Sequence, residues 1–189
     1  MKRTTEIPKI PEQKKEVRSS GIIMKAKATA QFDRAVEKYE THFRFRSIYP
    51  WLKQCKYHDF VNYFDNIDNG SIFILKVIHE TIPDLNQNAK DIFCNNPKKT
   101  PLYHSHKVDN EHLDIVKNVA KTLNPDITFD DSLEWWEIGG KQGYRIFGVY
   151  SQVEPAFYPL FADWHHLIYP DTEHNYKDYL KYSCSLENG

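Results

Sequence analysis

The stretch LFADWHHLIYP, Leu160 to Pro170, places Asp163, His165, His166 and Tyr169 inside one apolar run. A carboxylate beside an imidazole is an acid–base pair. It fixes the ring tautomer, and a histidine titrates close to neutrality. Written as a strand, the stretch sets Asp163, His165, Leu167 and Tyr169 on one face and Trp164, His166 and Ile168 on the other. The Asp163–His165–Tyr169 face is the first candidate site, with His166 as the alternative acid or base.

The preceding strand, GYRIFGVY, offers Arg145, and the loop before it, GGKQG, offers Lys141. Two cations there suit a phosphate that gains charge in a transition state. The loop lacks the GKS or GKT of a nucleotide-binding P-loop and reads as a hairpin in which glycine supplies positive φ. YHSHK places His104 and His106 two apart, on one face of a strand, where they join the substrate-binding candidates. With Asp163 and His165 they are metal-ligand types, but no HExxH or Cys/His spacing supports a metal site, and none is expected. LEWWEI carries Trp135 and Trp136 on opposite strand faces; one belongs in the core, and Trp136 is the candidate stacking surface for a base. A Gly-x-Ser-x-Gly elbow is absent, which disfavours serine chemistry.

These residues need a scaffold. SLEWWEI, GYRIFGVY and AFYPLFADWHHLIYP are consecutive β-like runs with connectors of hairpin length, the pattern of an antiparallel meander. DNEHLDIVKNVAKTLNP predicts a helix capped by Asp109, with Leu113, Val116, Ala120 and Leu123 on one face and Asn124-Pro125 at its end. Upstream, HFRFRSIY alternates Phe43 and Phe45 with Arg44 and Arg46, as a half-exposed strand does. KYHDFVNYFDNIDNG predicts a helix stopped at Asn69-Gly70, and SIFILKVIHETIPDL a buried helix with Pro83 near its end. NNPKKTP is a loop between two halves. The fold class is therefore α+β, with several helices packed on an antiparallel C-terminal meander.

The first 20 residues carry six Lys/Arg against three Glu and few apolar side chains, the composition of a flexible basic arm. An amphipathic helix is expected from Ala28, with Phe32, Ala35, Val36 and Tyr39 on its apolar side. Residues 1–21 are thus read as the disordered arm and 22–189 as a single domain, helical to about 95 and sheet-rich from about 101.

A hydrophobic fraction of 40% suffices for a core, and a net charge of −1 argues against a protein that coats nucleic acid by bulk charge. Cys55, Cys94 and Cys184 are odd in number and widely spaced, as in a reduced, cytoplasmic protein. No apolar run approaches the roughly 20 residues that span a bilayer, so no membrane role is expected.

The pattern formed by Arg145, Phe147-Gly148, Phe157-Tyr158, Asp163, His166 and Tyr169-Pro170 resembles a group of uncharacterised prokaryotic and mobile-element proteins. Some of these are loosely placed with the RelE/YoeB-type toxins. The aromatic-rich segment Phe43–Phe64 is similar as well, and the likeness covers that segment and Leu102–Pro170. The resemblance implies helices on an antiparallel sheet and RNA cleavage without metal or other cofactor. It would make Arg145 a phosphate clamp, His165 or His166 the acid or base, and Tyr169 a hydrogen-bond donor. The expectation is a toxin-like, RNA-cleaving or RNA-binding protein; the alternative is a non-enzymatic phage or mobile-element protein that grips a host protein or nucleic acid.

Overall fold

The computed structural model describes residues 43–141, 143–171 and 173–182. The basic arm, the helix expected from Ala28, and Cys184 lie outside them.

The fold is α+β. Strands β5 (Glu134–Gly139), β6 (Arg145–Ser151) and β7 (Ala156–Asp163) form the expected antiparallel meander. Two short strands complete a five-stranded sheet: β4 (His106–Lys107) pairs antiparallel with β5, and β1 (Arg44–Phe45) pairs parallel with β7. Alternation along β5 sends successive side chains to opposite faces, and both faces are covered. Trp136, Ile138, Ile146 and Phe157 join one core with Leu85, Ile92 and Phe93, whereas Trp135, Phe147 and Phe161 join another with Val116, Val119 and Ala120. Both tryptophans of LEWWEI are therefore core residues.

The helix under the second face, α3 (Asn110–Leu123), has Asp109 as its N-cap, as its sequence predicts. The Asp109 carboxylate accepts the His112 backbone N–H at 3.0 Å. Over the first face lie α1 (Ile67–Lys76) and α2 (Ile82–Cys94), joined by a π-helical turn, Val77–Thr81. Pro83 opens α2 rather than ending the helix. Its missing N–H falls where the π-helical turn already interrupts the i→i−4 ladder, and the wide turn carries the chain into α2, with the Ile82 N–H donating to the Val77 carbonyl.

The helix expected over Lys56–Gly70 is corrected. Its first part is a two-residue hairpin, β2 (Lys56–Tyr57) and β3 (Phe60–Val61), turned at His58 with φ of 50°. Buried Asn62 ties this segment to the rest of the protein. Its Oδ1 accepts the Cys55 N–H at 2.6 Å, and its Nδ2 donates to the Lys53 and Ala162 carbonyls at 3.2 and 3.1 Å. Those bonds give the backbone an alternative to helix. Asn69 and Gly70 lie inside α1, whose N-cap is Asn66. Gly70 serves close packing, because a Cβ there would stand 2.6 Å from the Phe64 ring.

Candidate active site

Three core strands end together at one edge of the second sheet face. The register sets Arg145 opposite Gly139 on β5 and opposite Asp163 on β7, and sets Glu137 opposite His106 on β4. A charged, buried cluster results. Arg145 Nε stands 2.6 Å from Glu137 Oε1, with both side chains under a tenth exposed. Arg145 Nη1 donates to the Tyr144 carbonyl at 2.9 Å. Glu137 Oε2 lies 3.5 Å from His106 Nε2. Burial raises the Glu137 carboxyl above its ordinary range, and the His106 and Arg145 charges oppose that rise.

The run from Trp164 to Pro170 is not a strand. β7 ends at Asp163, whose carboxylate caps the turn that follows: Oδ1 accepts the His165 N–H at 3.0 Å and Oδ2 the Ile168 N–H at 2.9 Å. His166 takes the left-handed conformation, with φ of 58°. The alternation expected of the two histidines is thereby lost. His165 turns away, its Nε2 2.6 Å from the Tyr63 carbonyl and its ring stacked on Tyr182 at 3.3 Å. His166 is the one that answers to the cluster. Burial lowers its pKa; the Arg145, His104 and His165 charges lower it further, and Asp163 resists.

His104 and His106 do not share a strand face. Only His106 is in β4; His104 lies in the turn before it, with its N–H donating to the Gly139 carbonyl at 3.1 Å. Both are exposed. Partial burial lowers the His104 pKa, and Arg145 and His106 add to the effect. The Arg145 charge thus acts on both His104 and His166, and the Glu137 carboxylate on His106 and Asp163, although these residues come from separate parts of the sequence.

Tyr169 is half-buried, its ring edge-on to His106 at 5.6 Å and against His112 at 4.0 Å. Burial raises its phenol pKa, so the O–H keeps its proton. Lys141 is exposed in the β5–β6 loop, where Gly143 takes the positive φ expected of the hairpin, 73°. Trp136 is only 5% exposed and meets Phe93 edge-on at 4.9 Å, leaving no open face for a base to stack on. Among the described residues no three His, Cys, Asp or Glu side chains are grouped as metal ligands, so the set of His104, His106, Asp163 and His165 does not assemble.

Sequence reasoning missed Glu137. The signal was present: Glu137 shares the buried side of β5 with Trp135, and a carboxylate on a buried strand face needs a partner. A separate cavity of about 620 Å³ lies at the opposite end of the same strands, lined by Tyr49, Phe129, Val149, Gln152 and Tyr158 among others. Its lining includes Glu134 but no histidine, whereas the Arg145–Glu137 pair and His106 lie at the other end.

Fold and site together define an α+β protein with a buried ion pair and histidines at one sheet end. By sequence the chain belongs to the family described as Uncharacterised protein UU032, whose model matches residues 47–188. That match takes in every residue of the cluster. The chain is 26% identical over 141 residues to Uncharacterized protein UU032 of Ureaplasma parvum serovar 3 (strain ATCC 700970), covering 72% of this chain and 75% of the relative. No solved structure matches. Among the described residues no helix is long and apolar enough to cross a membrane.

Proposed function

We propose that the chain cleaves RNA by acid–base chemistry without a metal ion, in the manner of a toxin-type endoribonuclease. The supporting observation is the buried Arg145–Glu137 pair with His106 3.5 Å from its carboxylate, and with His104 and His166 within reach of the Arg145 charge. Lowered pKa values leave His104 and His166 neutral at pH 7, the form a general base requires. His166, one residue from the first candidate His165, takes the role of base. Arg145 acts through its field, because its side chain is only 9% exposed, ion-paired with Glu137, and bonded through Nη1 to the Tyr144 carbonyl. Contact with phosphate falls to exposed Lys141, and Tyr169 remains a neutral donor beside the site.

Purified protein incubated with structured RNA in excess EDTA tests this reading. Cleavage that disappears in His166→Asn, with the fold intact by circular dichroism, supports it. No cleavage by the unaltered chain, and no growth arrest when it is expressed, overturns it.

One observation favours a second reading, a non-enzymatic binding protein. Ile67, Ile72, Leu75 and Ile78 are each about half exposed or more along the first helical run, and exposed apolar side chains that join into one patch mark partner surfaces. A stable complex with a host protein, together with no RNA cleavage, would favour it.

A further inference from the structure

His106 is held at both ring nitrogens. Its Nδ1 lies 2.9 Å from the Lys107 carbonyl oxygen. A carbonyl only accepts, so Nδ1 carries hydrogen. The opposite nitrogen, Nε2, is 3.5 Å from Glu137 Oε2. That carboxylate is 4% exposed, and among the described residues Oε2 has no hydrogen-bond partner, while Oε1 lies 2.6 Å from Arg145 Nε. Two unprotonated acceptors 3.5 Å apart in a buried site repel; one proton between them removes the repulsion and offers each atom a partner.

We propose that Glu137 and His106 hold one proton between them, and that His106, half exposed, delivers it to the leaving oxygen of a cleaved phosphodiester. The delivery rests on the acid–base reading above, whereas the shared proton does not. The groups facing the pair are Arg145 from β6, Asp163 from the end of β7, His104 from the turn before β4, and the Tyr169 phenol. Lys107 is directed elsewhere, to Glu134 at 3.0 Å. Burial of Glu137 favours keeping the proton, and Arg145 steadies the carboxylate once the proton has left.

The step balances. Neutral His166 takes the ribose 2′-hydroxyl proton, and the 2′-oxygen forms its bond to phosphorus. The bond from phosphorus to the 5′-oxygen breaks, and that oxygen takes the His106 Nε2 proton. The products are a 2′,3′-cyclic phosphate and a 5′-hydroxyl. The proton on His166 passes to solvent, and the Glu137–His106 pair regains one from it.

The test is nitrogen-15 NMR of the full chain with labelled histidine, near pH 7 and without RNA. The expected spectrum shows His106 with hydrogen on Nδ1 and an Nε2 resonance displaced towards the protonated position. In Glu137→Gln the amide N–H takes the place of the shared proton, and the Nε2 resonance returns towards the bare position. A bare Nδ1, or an Nε2 resonance identical in the two proteins, overturns the shared proton. Because Glu137→Gln also strips a partner from Arg145, exposed His106→Gln supplies a second reading. With a fixed N–H donor opposite it, the Glu137 carboxyl carbon shifts to the carboxylate position; an unchanged carbon overturns the proposal. Cleavage is measured in parallel. His106→Gln should lose about 100-fold or more in rate with RNA affinity retained, and unchanged cleavage overturns the delivery. A shared proton in a chain that cleaves no RNA upholds the pair and overturns the acid–base reading.

Discussion

Arg145 lies across Gly139, its partner on the neighbouring strand, and reaches Glu137 only because Gly139 has no side chain. A Cβ at Gly139 would stand 2.3 Å from Arg145 Cδ and 2.7 Å from Nε. The geometry of the buried pair is thus set by a missing methyl group as much as by opposite charge.

Gly139→Ala should displace the guanidinium and leave Glu137 buried without its partner. Breaking a buried ion pair from one side costs about 3–5 kcal/mol, and urea denaturation near neutral pH should register a loss of that order. The effect is steric, since Gly139 does not occupy the positive-φ region. An unchanged midpoint would mean that Arg145 is free to leave Glu137 at little cost.

The adjacent histidines should separate cleanly on substitution. His166→Asn keeps a residue that tolerates φ of 58° and should lower RNA cleavage about 100-fold or more. His165→Gln should leave cleavage nearly intact and lower stability by about 1 kcal/mol, through the hydrogen bond to the Tyr63 carbonyl. The reverse ranking would return the catalytic role to His165.

His165 should also mark the acid limb of stability. Burial lowers its pKa from 6.5, so the unfolded chain takes up this proton first. The stabilisation is complete above that value and is lost as pH falls from 6.5 through the lower folded pKa, with a slope of at most about 1.4 kcal/mol per pH unit. Denaturation midpoints at about pH 7.5 and about pH 5.5 should therefore differ less in His165→Gln than in the unaltered protein.

Trp136 should behave as a core residue. It meets Phe93 edge-on at 4.9 Å, and Phe93 stacks on Tyr150 at 4.0 Å. Phe93→Ala should cost about 3–5 kcal/mol, and Trp136→Phe should lower the thermal midpoint while leaving RNA affinity unchanged. Loss of affinity at constant stability would restore Trp136 to the binding surface.

The sequence by itself determined what local signals determine. Asp109 and the apolar spacing of Val116, Ala120 and Leu123 specify α3 within a few turns of chain, and alternation with short connectors specifies the β5–β7 meander. It also supplied most members of the cluster, though not their grouping. The tertiary structure decided which of the two histidines the Arg145 charge acts on, because β7 ends at Asp163, whose carboxylate caps the turn in which His166 is left-handed. It decided the hairpin at Lys56–Val61 through a bond from Asn62 to the distant Ala162 carbonyl. It drew Glu137 and Arg145 together by a strand register that no single segment encodes. A helix cap or an alternating strand is a property of neighbours along the chain. A buried ion pair depends on groups that meet only after the sheet has formed.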